Sequence, residues 1–248
     1  MSQEQPQTRT AKNRTKNKKG GNWQIILGVL LIIVAVGLLA MDPIKNYMIQ
    51  QGSTQNTVAN LTREQIESNL ASDVTYDFND IDTLNAYDVI SDNVNPNDLP
   101  TIGGISIPDV GMNLPVYKGV SNEGMYLGAG TLDANQAMGV SNYPIASHHS
   151  INENLLFAPL TKVEHGDLIY LTDLDQVYVY EIDFIEEVHP TRVDLIAPTD
   201  SAIITLITCD YSLDMRIVVQ GSLVNQVNID DASPEMIEAF GLPQTVAS

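Results

Sequence analysis

The clearest feature of the hydropathy pattern is a stretch from Gly20 to Met41 without a charged residue, almost wholly aliphatic between Ile25 and Met41. About 20 residues at ~1.5 Å each reach ~30 Å, the thickness of a bilayer's hydrocarbon core, so this stretch predicts a membrane-spanning helix. Trp23 stands at its near edge, where an amphipathic ring suits the headgroup region. Residues 45–75 are polar with a short helical signal. Thr62 and Gln65 have capping-box spacing ahead of Ile66 and Leu70, which suits either a stalk or a helix laid on the domain. From about Asp77 the pattern changes to short β-rich runs, predicting strands at 102–107, 114–117, 143–149, 168–172, 177–187, 202–209 and 215–224. Turns at Pro96-Asn97-Asp98 and Gly103-Gly104 punctuate them, and Ser233-Pro234 starts a short helix to about Phe240. Seven or eight strands with few helices predict a mainly β fold, a closed barrel or a sandwich. The expected organisation is a tail over 1–22, a span over 23–41, a stalk or linker over 42–75 and a β domain over 76–248.

Charge sets the orientation. The chain has a net charge of −19, but residues 1–22 carry six basic side chains against Glu4 alone, and the rest carries the other six against 30 acidic ones. A basic flank holds that end in the cytoplasm, so residues 42–248 are expected outside the cell. A cleaved secretory signal is the competing reading. The apolar run is longer than such a signal's core, however, and no small-x-small site follows before Asp42-Pro43. No second run of this length occurs, so the C-terminus is expected outside too. An outer part this acidic repels phosphate polymers, which excludes nucleic acid as a partner class.

The chain has one cysteine, Cys209, so no intrachain disulfide can form and the thiol is either inert core or reactive. Strand alternation over 202–209 puts Ile204, Leu206 and Thr208 on one face and Thr205, Ile207 and Cys209 on the other. A simple hairpin through Asp210–Met215 then opposes Cys209 and Arg216, with Cβ atoms about 5 Å apart. A guanidinium beside a thiol favours the thiolate, and it can also stabilise a carbonyl oxygen as charge develops there. The alternative for Arg216 is an ion pair with Asp210 or Asp214. An amide cleaved by a thiol also needs a proton donor. His148 and His149 end the strand-like run from Asn142, opening onto a loop, whereas His165 and His189 sit in turns. A metal site there is poorly supported, with Glu153 the only nearby carboxylate.

The run Thr205-Leu206-Ile207-Thr208-Cys209, followed by Arg216-Ile217-Val218-Val219, resembles the cysteine signature of sortases. Ala146-Ser147-His148 is similar to their histidine segment, about sixty residues upstream as in class A. The similarity extends through Ile102-Gly103-Gly104-Ile105, Asn113-Leu114-Pro115-Val116, Gly128-Ala129-Gly130-Thr131 and Leu171-Thr172-Asp173. It implies a closed eight-stranded barrel with short helices behind one N-terminal membrane helix. By the same resemblance Cys209 attacks the Thr carbonyl of a Leu-Pro-x-Thr-Gly signal on surface proteins and His148 protonates the departing Gly amine. A lipid-linked peptidoglycan precursor then takes the acyl group, while Arg216 holds the substrate backbone or the oxyanion. Ser147, Thr208, Leu132, Ile207 and His149 are the further substrate-contact candidates. No cofactor is required on this reading, and calcium use is left open. No second span and no Asp-Pro-aromatic lid is evident, unlike the pilus-building branch. A secreted cysteine peptidase or amidase and a passive wall-facing scaffold domain are the alternatives. Papain-like enzymes place Cys before His, the reverse of the order here.

Overall fold

The computed structural model describes residues 22–78, 81–209 and 214–243; the basic tail and most of the loop after Cys209 lie outside them. The chain divides into two compact units, residues 1–40 and 41–248. Helix α1, Trp23–Gln55, is the one described helix long and apolar enough to cross a membrane, and from Trp23 to Leu39 its large side chains are exposed. The sequence pattern places the apolar part correctly but not the end. Residues past Met41 stay helical through Pro43 because Ile49 and Gly52 are buried within the second unit, where tertiary packing outweighs local polarity.

The second unit is a closed barrel of eight strands: β1 Thr101–Ile107, β2 Met112–Tyr117, β3 Ala129–Thr131, β4 Asn142–Ala146, β5 Leu168–Thr172, β6 Gln176–Val188, β7 Ile203–Cys209 and β8 Arg216–Asn228. Their spatial order around the barrel is β1-β2-β3-β4-β7-β8-β6-β5. The β2–β3 and β4–β7 pairs are parallel and the rest antiparallel. Closure removes sheet edges, and the interior fills with alternate side chains such as Ile105, Val116, Ile145, Ile169, Leu171, Ile204, Leu206 and Val219.

Among the described residues four short α-helices accompany the barrel: α2 Arg63–Asn69, α3 Ala86–Asp92, α4 Asn122–Leu127 and α5 Pro234–Ala239. The capping box at Thr62 and Gln65 is complete, and Ser233 caps α5 with Pro234 at its first position. Gly103-Gly104 is a correction. It lies inside β1 rather than in a turn, because a side chain at Gly103 would collide with the Thr172 carbonyl and Met138, and one at Gly104 with Val58. The three-residue β3 was not predicted, being too short to show an alternation. The run expected over 143–149 stops pairing as a strand at Ala146, leaving both histidines just beyond it.

The long connection from β6 to β7 is tied down on the barrel's outer face. Asn142 on β4 donates its Nδ2 to the Leu195 carbonyl at 2.9 Å, and Gln220 on β8 donates to the same oxygen at 3.1 Å. Thr205 on β7 links the two, donating to Asn142 Oδ1 at 2.7 Å and accepting from Gln220 Nε2 at 2.9 Å. Three strands thus hold one loop over the outer face that carries Cys209.

Candidate active site

Strand register builds the site. On β7, Ile204 and Leu206 belong to the core, so Ile207 and Cys209 face outward. Cys209 is paired with Arg216, and Arg216 in turn with Val188 on β6. Ile217, next along β8, packs against the core and leaves Arg216 on the outer face, as the alternation required. On the other side Ala146 pairs in parallel with Ile207, and Ser147 N–H still donates to the Ile207 carbonyl at 3.2 Å. Continuing that register by two residues brings His148 level with Cys209. By that extrapolation residues 148, 209 and 216 occupy one row of backbone positions across adjacent strands, spaced at about 4.8 Å per strand.

The row is anchored on the histidine side. Ser147 Oγ donates to the Gly128 carbonyl at 2.6 Å, and the His148 carbonyl accepts from Phe157 N–H at 3.2 Å. The Tyr126 ring stacks on the imidazole, with centroids 6.0 Å apart and planes at 23°. His148 is only 7% exposed, and its Nε2 has no hydrogen-bond partner among the described residues. Burial alone pushes its pKa down to about 4, so the ring is neutral at pH 7.

A pH dependence of stability follows. The folded imidazole gives up its proton above about pH 4, whereas an unfolded one holds it up to about pH 6.5. Between those values the unfolded state binds more protons, so stability falls as pH drops. At pH 4.5 the expected cost is about 2.5 kcal/mol relative to pH 7. Urea unfolding of the chain and of His148→Gln at both pH values checks this, since effects from the other titrating groups cancel in the difference. Equal losses in the two proteins would refute the burial effect.

A groove of about 370 Å³ runs along the same outer face. Its floor is Ala146, Ile207 and Val218; Arg216 stands in its lining, the end of β6 supplies Val188, and the β6–β7 connection supplies Pro190, Val193 and Ile196. Leu132 and Ile207, both singled out from the sequence, are brought together there. Ser147 and Thr208 are placed differently. The Ser147 hydroxyl proton is already committed to Gly128, and Thr208 lies on the face away from Cys209, 2% exposed and with no partner for Oγ1 among the described residues. A peptide laid over Cys209 would meet the Thr208 backbone rather than its side chain. His149 is half-buried, and its backbone bridges to Leu156. His165 and His189 are exposed, as their turns suggested, though His189 borders the groove. Among the described residues no group of three or more His, Cys, Asp or Glu is placed to hold a metal ion.

Sequence reasoning missed Tyr126, the β6–β7 residues and two groove residues ahead of the barrel, Tyr76 and Phe78. The alternation Tyr76-Asp77-Phe78 in a polar stretch was the available signal for the last pair.

Comparison with known proteins identifies a family and a fold. The model of the sortase domain family matches residues 105–224. Sortase A of Streptococcus agalactiae is 36% identical over 92% of this chain and 96% of its own length. Sortase A of Listeria monocytogenes is 35% identical over 79% of this chain and 90% of its own. A crystal structure of Listeria monocytogenes sortase A superposes with a TM-score of 0.54 at 37% identity, over 58% of this chain and 99% of that one.

Proposed function

The chain belongs to the sortase family of cysteine transpeptidases, and from that membership we propose that it joins surface proteins to the cell wall through Cys209. The donor in this reading is a protein bearing a Leu-Pro-x-Thr-Gly signal, cut between Thr and Gly. The acceptor is the amine of a lipid-linked peptidoglycan precursor. The carrying observation is the pairing of Cys209 with Arg216 across β7 and β8; the β4–β7 register, carried two residues past Ala146, supports His148 as their neighbour on the other side.

The steps balance without a cofactor. Neutral His148 takes the Cys209 proton as sulfur bonds to the Thr carbonyl carbon, and Arg216 faces the oxygen on which charge develops. The imidazolium then gives that proton to the leaving Gly nitrogen as the amide bond breaks, leaving a thioester. The acceptor amine attacks the thioester, His148 takes its proton, and the thiol is restored. A nearly dry imidazole suits this relay, because its ionised form is costly until a negative charge forms beside it. The basic N-terminal flank and the acidic remainder of the chain support an extracellular catalytic domain in this reading.

The test is a product comparison. A Leu-Pro-x-Thr-Gly peptide is incubated with the full chain in detergent, with and without an amine acceptor. Transpeptidation is expected to give the Thr-acceptor amide as the main product when amine is present. Release of free Thr acid at the same rate under both conditions would instead establish a peptidase.

A further inference from the structure

Resting on that donor-peptide reading, we propose that the segment just ahead of the barrel sets donor specificity, with Tyr76 and Phe78 holding the leucine of the sorting signal. Both aromatic residues line the groove together with Ala146, Leu132, Ile207 and Val218. Tyr76 is half-buried, and its hydroxyl pKa is raised by burial and then by the charge of Asp133, so it stands near the turn that carries Leu132. Phe78 is 36% exposed within a polar stretch, an apolar ring that still lacks a cover.

The segment is fixed, so its side chains are presented rather than loose. Val120 N–H donates to the Thr75 carbonyl at 2.9 Å, and Lys118 Nζ donates to the carbonyls of Leu70 at 2.8 Å and Ser72 at 2.7 Å. Gly119 lets the segment approach closely: it has a φ of +70°, and a Cβ there would strike Val74 and the Thr75 carbonyl. Both rings reach the groove from this anchored segment.

Distance along β7 assigns their occupant. Ile207 lies two residues, about 7 Å, before Cys209. An extended donor with its Thr carbonyl at the sulfur puts proline over Ile207 and leucine one residue farther, about 10 Å from the cut. That position needs an apolar wall, and Tyr76 and Phe78 are aromatic lining of the same groove.

The experiment is a cycle between enzyme and peptide. The full chain in detergent, with Tyr76→Ala, Phe78→Ala and Phe78→Leu, is assayed on Leu-Pro-x-Thr-Gly and Ala-Pro-x-Thr-Gly peptides at fixed amine. The expected result is that the leucine-over-alanine ratio of kcat/KM falls about tenfold in each alanine variant, mainly through KM for the donor. Phe78→Leu, which keeps an apolar side chain, is expected to retain most of the ratio. Alkylation of Cys209 by iodoacetamide at the wild-type rate checks that the site is intact. An unchanged ratio in variants that alkylate normally would overturn the inference while leaving the transpeptidase reading standing. A wild-type chain that cleaves neither peptide would overturn both.

Discussion

Cys209→Ala is expected to reduce transfer of a Leu-Pro-x-Thr-Gly peptide to below about one part in 10⁴ of wild type, since loss of a nucleophile removes the covalent route altogether. Cys209 is the chain's only cysteine, so no second thiol can substitute. It sits at the end of β7 on the outer face, half-buried and directly across from Arg216. The variant is also expected to leave the fold intact, because the barrel core is closed by Ile204 and Leu206 on the opposite face. Peptide affinity of the alanine variant, read by fluorescence anisotropy, should stay within about threefold of wild type. Full transfer activity in a correctly folded variant would end the covalent reading. Cys209→Ser separates reactivity from shape. A hydroxyl of ordinary acidity beside a neutral imidazole is a weaker nucleophile than a thiol, so its activity should lie near that of the alanine variant.

How much of this was legible in the sequence depends on the range of the interactions involved. Alternation along Ala202-Ile203-Ile204-Thr205-Leu206-Ile207-Thr208-Cys209 is local, and it gave both the outward face of Cys209 and the pairing with Arg216. The capping box at Thr62 is likewise contained in four residues. The level placement of His148 is not local. It depends on a parallel β4–β7 pair separated by β5, β6 and their connections, a register that no single stretch of chain encodes. For the same reason Tyr126 could not be found from sequence: its ring reaches His148 from α4, more than twenty residues upstream. Gly103-Gly104 misled because a close approach to Val58, Met138 and Thr172 requires the same residue as a turn does. The continuation of α1 beyond Met41 was hidden because polar residues there are held by burial of Ile49, a tertiary effect.

The second large effect expected is at His148. His148→Ala should lower kcat by about 10³-fold, within the range that positioned acid–base groups supply, while changing donor KM little. In the proposed mechanism one imidazole has a double duty, removing the thiol proton and returning it to the leaving amine, so its loss would slow both halves. Its surroundings serve that duty. Tyr126 stacks on the ring, the Phe157 N–H holds its carbonyl, and Nε2 has no partner among the described residues. A ring kept neutral by burial can accept a proton from sulfur as soon as substrate is in place. Below about pH 4 the imidazole already carries a proton and cannot take the one on the thiol, so the base is lost and the rate should fall with it. Pre-steady-state measurement of acylation against pH in wild type and His148→Ala tests this, with the acid limb expected only in the wild type. A variant that acylates at the wild-type rate would show that another group moves the proton. Because His148 is level with Cys209 on one side and Arg216 is paired with it on the other, the two losses can also be told apart. Removing the imidazole should be partly rescued by added imidazole, whereas loss of the guanidinium, which moves no proton, should not.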